Sequence, residues 1–152
     1  MEDYTHEAFI VSGYRISTTN NDNKSNSDIM AAWKKFQNQN LAEAIQGKNN
    51  PTLHIIYFNY SHSESIQDRS YDVLIGYTTD EGAVQNHPEI ETLLIPAQNY
   101  KYEIVKGEIP EVVVQKWAEI NAMPQDDLSR TFGFDMDMYM EDGSVCVTVA
   151  VK

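Results

Sequence analysis

The sequence predicts an α+β fold made of two tandem, pseudo-symmetric β-α-β-β repeats, with one helix covering each half of an antiparallel sheet. Three observations carry this reading. Both halves, approximately residues 8–79 and 92–152, run strand, helix, strand, strand. The two helical stripes share one spacing, Ile29-Trp33-Phe36 in the first half and Val113-Trp117-Ile120 in the second. At 152 residues the chain fits one domain, residues 1–152, in which two small cores bury more side by side than apart. The inter-repeat junction of such a fold is a frequent place for a ligand cleft.

Each element follows from local chemistry. Residues 8–17, Ala-Phe-Ile-Val-Ser-Gly-Tyr-Arg-Ile-Ser, read as a strand, and a polar Asn/Ser/Asp/Thr loop follows through Ser27. Ser27 or Asp28 is placed to cap a helix with the stripe Ile29, Ala32, Trp33, Phe36. That stripe slips phase at Leu41, so the helix breaks near residues 38–40. Residues 53–61 and 71–79 are strands joined by a polar connection holding Asp68 and Arg69. Residues 92–107 are extended and divided by Pro96, because proline removes a ladder donor. Pro110 suits the first turn of the second helix, its fixed φ being helical already. Residues 131–140 and 144–151 then form a hairpin, with Asp142-Gly143 as its turn.

Composition bounds the function. There are 11 Lys and Arg against 23 Asp and Glu, a formal charge of -12. The balance is least even in residues 51–100, which hold seven acids and one base, Arg69. A field of this sign repels nucleic acid and anionic lipid and attracts cations, so no direct nucleic-acid or membrane partner is expected. The single cysteine, Cys146, lies in an apolar strand-like run and reads as a small buried hydrophobe. The N-terminus has no basic and apolar leader pattern, and no apolar run approaches the ~20 residues of a membrane span. A cytoplasmic protein is expected. His6, His54, His62 and His87 show no metal-ligand spacing, and neither a metal nor a cofactor is expected.

The most informative stretch is residues 134–140, Phe-Asp-Met-Asp-Met-Tyr-Met. As a strand it places Phe134, Met136, Met138 and Met140 on one face and Asp135, Asp137 and Tyr139 on the other. Two carboxylates and a phenol together make either a solvated strand face or the floor of a cation site. Aromatic residues to complete such a site are plentiful, with nine Tyr, five Phe and two Trp. They crowd at Tyr57, Phe58, Tyr60, Tyr71 and Tyr77, where packing also needs them.

Six segments in order then resemble one family, from about Phe9 to Val151. They are Trp33 with Phe36; Ile55-Ile56-Tyr57; Tyr71-Asp72-Val73-Leu74-Ile75-Gly76-Tyr77; Ile95-Pro96-Ala97 with Tyr100; Gly107, Pro110 and Trp117; and Asp135-Met136-Asp137-Met138-Tyr139. The chain resembles the GyrI-like, or AraC-type, effector-binding domains. These are the sensor halves of multidrug-responsive activators and also stand alone, some in integron gene cassettes. The resemblance implies a pocket for amphipathic, often cationic, aromatic molecules, with an acid at its base. That acid is the glutamate of the family's Asp-Phe-Glu-x-Tyr, and its position falls on Asp137. Aspartate is one methylene shorter, so either the pocket is shallower here, Asp135 or a water helps, or the acid's role has moved elsewhere.

The expected function is therefore non-catalytic binding of a small lipophilic cation, by sequestration or as a sensor serving a separate regulator protein. Asp137 is the expected counter-charge, Tyr139 and Asp135 its neighbours, and Trp33, Trp117, Tyr57 and Tyr77 the walls. Two other classes stay open: a hydrolase using an acid of this cleft, and an acidic protein-interaction or inhibitor module. The chain carries no Gly-x-Ser-x-Gly elbow, phosphate loop or dinucleotide fingerprint.

Overall fold

The computed structural model describes residues 1–152, apart from the side chains of Gln67, Gln125 and Asp126. Eight strands form one antiparallel sheet: β1 (Glu2–His6), β2 (Phe9–Thr19), β3 (Leu53–Phe58), β4 (Ser70–Thr78), β5 (Glu91–Ile95), β6 (Gln98–Val105), β7 (Asp135–Tyr139) and β8 (Val145–Val151). Their lateral order is β1-β6-β8-β7-β3-β4-β2-β5. The order is symmetric about the β7–β3 seam. On one side it runs β3-β4-β2, on the other β7-β8-β6, so each half repeats the same arrangement outward from the centre.

Two strands lie outside the expected β-α-β-β grammar. β1 precedes the first half yet pairs with β6 of the second, and β5 precedes the second half yet pairs with β2 of the first. Each half thus lends its leading strand to the other's edge. β1 carries no apolar alternation in Glu-Asp-Tyr-Thr-His, because an edge strand needs only Tyr4, packed 5.8 Å from Tyr100, to anchor it.

The helices α1 (Lys24–Asn38), α2 (Leu41–Ala44), α3 (Glu111–Ala122) and α4 (Gln125–Leu128) complete the chain. α1 packs on β2 and β4, and α3 on β6 and β8. Ala32, Phe36, Leu41 and Ile45 meet Ile55, Tyr71, Val73 and Ile75 under α1, while Val113 and Ile120 meet Val145, Val147 and Val149 under α3. A third cluster, including Val11, Ile56, Phe58, Leu74 and Met136, fills the opposite face. Both faces of the central strands are therefore buried, and Asp135 and Asp137 are fully covered instead of lying on a solvated face.

Several boundaries differ from expectation for local reasons. α1 begins at Lys24, not after Ser27 or Asp28, because Asp22 and Asn23 take left-handed φ values of 52° and 57° and turn the chain earlier. Polar Asp and Asn tolerate that conformation. Asp28 instead faces Thr18, whose Oγ1 donates to it at 2.8 Å, and pairs with Lys24 one turn back. The break after Asn38 is as expected, with Asn40 left-handed at φ 51°. β3 stops at Phe58 because Asn59 is left-handed, and β7 starts only at Asp135, after left-handed Ser129 and Phe132.

Gly13 and Gly76 face each other where β2 crosses β4. A Cβ on Gly76 would sit 2.0 Å from the Ser12 carbonyl oxygen, and one on Gly13 2.1 Å from that of Ile75. Gly76→Ala should therefore destabilise the fold by about 1–3 kcal/mol or more. Urea unfolding measures this, and a variant as stable as the parent would contradict the close strand approach.

Candidate functional site

A cavity of about 890 Å³ opens between α1 and α3, over the β7–β3 seam. Trp33, Tyr57, Trp117 and Tyr139 line it, together with Tyr60, Tyr71, Ile55 and Val113. Exposed Met30, Ile109 and Val114 add apolar surface to its lining. The aromatic walls brace one another. Tyr57 meets Trp117 edge-on at 5.4 Å and Tyr71 at 6.2 Å, and Tyr60 packs 5.3 Å from Tyr71. Half-burial of the two tryptophans follows from the matched stripes. Phe36, Val113 and Ile120 turn to the cores, leaving Trp33 and Trp117 half-buried on the cavity wall.

Asp137 lies directly beneath this wall. The Tyr57 hydroxyl donates to its Oδ2 at 2.6 Å, and the Trp117 indole N–H donates to its Oδ1 at 2.8 Å. No lysine or arginine among the described residues is within ion-pair distance of it. Burial pushes its carboxyl up from 3.8 to about 7; the two donors oppose that rise, and the nearby Asp135 adds to it. Burial, and next the Asp137 charge, raise the Tyr57 hydroxyl well above its ordinary value and likewise raise that of Tyr139, so both stay protonated.

Asp135 has a different role. Its Oδ2 accepts from Arg130 Nη2 at 2.9 Å and from the Tyr60 hydroxyl at 2.7 Å, and its Oδ1 accepts from the Ala150 amide at 2.8 Å. Every strong partner it needs is internal, so it braces β7 against β8 and the Arg130 loop. The two aspartates of one strand face are thus divided: one is neutralised, the other is left without a cation.

Tyr77 does not reach the cavity. It shares a strand face with Tyr71 but lies six residues along β4, under α1, with Phe36 at 6.5 Å and the Lys48 ammonium 5.4 Å above its ring. Its strand parity matches that of Tyr71, but its place along β4 takes it away from the cavity. Sequence reasoning also missed Arg69, Arg130 and Phe132, which line the cavity from irregular segments where no periodicity marks them. A second hollow, about 690 Å³, lies on the opposite face among His6, His54, Met136 and Met138. Its rings, Tyr4, His6, Phe9 and His54, contact one another, and the acid in its lining, Glu81, is exposed instead of buried.

Asp137 is thus a buried carboxyl whose hydrogen-bond donors are both neutral. Both donor rings, Tyr57 and Trp117, line the cavity. Each Asp137 oxygen accepts one hydrogen bond, from Tyr57 and from Trp117.

Comparison with known proteins agrees in architecture. A search of curated proteins found no match. Among solved structures, an integron cassette protein from the mobile metagenome of Vibrio cholerae, VCH_CASS2, is 23% identical with a TM-score of 0.78, covering 99% of this chain and 95% of that one. SAV2435, solved bound to tetraphenylphosphonium, is 16% identical with a TM-score of 0.75, covering 99% and 93%. A hydrolase from Listeria innocua is more distant, at 8% identity and a TM-score of 0.51, covering 99% and 90%. At these identities the likeness is one of fold. The family model for Cass2, the integron-associated effector binding protein, matches residues 4–150, and the chain belongs to that family.

Proposed function

We propose that this effector-binding protein holds lipophilic aromatic cations in the cavity between α1 and α3, with Asp137 as counter-charge. The observation that carries the reading is a fully buried carboxylate, without a cationic partner, beneath an aromatic wall. Tetraphenylphosphonium on a protein of the same fold supports the ligand class. The protein works by binding, either withdrawing its ligand from solution or presenting the occupied state to a separate regulator protein.

Titration of Asp137 sets the test. The free carboxyl titrates at about 7, and only its ionised form attracts the guest. Affinity for a permanent cation such as tetraphenylphosphonium should rise roughly tenfold from pH 6 to pH 8 and then level off. Binding at pH 6.5 should release protons, which calorimetry in buffers of different ionisation enthalpy detects. An uncharged triphenylphosphine oxide should bind with no such slope. A flat profile for the cation, or a matching slope for both, would remove Asp137 from the charge role. Folding shows the opposite sign. The folded state keeps this proton to higher pH than the unfolded chain, so Asp137's contribution to stability falls between about pH 4 and pH 7.

A further inference from the structure

The charged side chains on the cavity wall are both positive, Arg69 and Arg130. This holds among the described residues, and it is unexpected for a chain with 23 acids and 11 bases. The charge of Arg130 is accounted for: it is 8% exposed, its Nη2 binds Asp135, and its Nη1 donates to Asn121 Oδ1 at 2.9 Å, although its Nε, like that of Arg69, is buried without a partner. That of Arg69 is not. Its Nη1 donates to the Ser61 carbonyl at 3.3 Å, and, unlike Arg130, it has no carboxylate of the described residues within ion-pair distance.

We propose that the ligand is bipolar, carrying besides its aromatic cation an anionic acceptor group, a carboxylate in the simplest case, which docks on Arg69. The inference rests on the cavity being the binding site, as argued above.

The arginine is built into place. Its guanidinium lies 3.9 Å from the centre of the Phe132 ring, and that of Arg130 lies 4.4 Å from the same ring. Phe132 holds this position with a left-handed φ of 55°, a conformation a bulky side chain adopts only when its surroundings impose it. Tyr60 braces the ring edge-on at 5.5 Å. A guanidinium stacked on a ring and tethered at one nitrogen keeps its in-plane donors directed, which is the arrangement that suits a carboxylate. Arg69 is also the single base among residues 51–100, beside seven acids. An arginine with no ion-pair partner among the described residues, in so acidic a segment, is placed for a counter-ion that arrives with the ligand. A simple cation would be attracted by Asp137 and repelled by Arg69; a bipolar ligand satisfies both.

A matched pair of dyes tests this: rhodamine B, a xanthylium cation with a free carboxylate, and its ethyl ester, which keeps the cation alone. Calorimetry at pH 8 is expected to show the acid binding about tenfold more tightly than the ester. Arg69→Gln should remove most of that difference, and Arg69→Lys, which keeps the charge but loses the planar stack, should restore part of it. Asp137→Asn should weaken both dyes. Equal affinities, a tighter ester, or a difference that survives Arg69→Gln would overturn the proposal. So would binding of a plain N-methylacridinium cation with neither dye bound. Failure of all three compounds to bind would instead remove the cavity reading, and this inference with it.

Discussion

Asp137→Asn is expected to weaken binding of a permanent aromatic cation by roughly 10- to 100-fold while changing a neutral analogue of the same shape by less than about threefold. A unit charge about 6 Å from the carboxylate, at an effective dielectric near 20, is attracted by about 3 kcal/mol, and desolvation of both charges removes part of that. Apolar burial against Trp33, Tyr57, Trp117 and Tyr139 supplies the remainder and is shared by both compounds. The substitution is tolerable for the fold. The asparagine oxygen can still accept from Tyr57 or Trp117, and the cost of the donor left over is offset by removing a buried charge. Equal losses for cation and analogue would mean that Asp137 shapes the wall without steering charge.

Arg130→Met is expected to have the largest effect on stability. Asp135 is fully buried, and Arg130 is its cationic partner. Without it the carboxylate keeps only the Tyr60 hydroxyl and the Ala150 amide, a loss that typically costs about 3–5 kcal/mol. For a chain of this size that lowers the melting temperature by roughly 6–20 °C. Adding Asp135→Asn to the variant should recover part of the loss, because no charge then remains unpaired. A melting temperature within about 2 °C of the parent for Arg130→Met would show that Asp135 is sustained without its arginine.

The division of labour between the two aspartates was only partly legible. Alternation in residues 134–140 places Asp135 and Asp137 on one face, and the fold keeps them there. Alternation cannot say that this face is covered by two helices instead of water, because coverage depends on β7 lying at the centre of the sheet. The matched spacing of Ile29-Trp33-Phe36 and Val113-Trp117-Ile120 marks the two tryptophans as counterparts, and both line the cavity. Tyr77 shows the limit of parity: it has the right face and the wrong end of the strand. β1 escaped because an edge strand needs so little apolar surface. Arg69, Arg130 and Phe132 escaped for another reason. Their positions are fixed by left-handed turns and long-range partners, not by any repeat a linear reading detects.

The chain's two tryptophans, Trp33 and Trp117, both line the cavity, so intrinsic fluorescence reports on it directly. The decisive measurement is a fluorescence titration at pH 8 with a permanent aromatic cation beside its uncharged analogue, at low and at high salt. The account predicts saturable quenching at micromolar concentration, stronger for the cation and largely retained at high salt, since a buried charge is weakly screened. Quenching that does not saturate, or that high salt abolishes, would mean that the cation meets only the acidic surface, and would contradict a ligand cavity above Asp137.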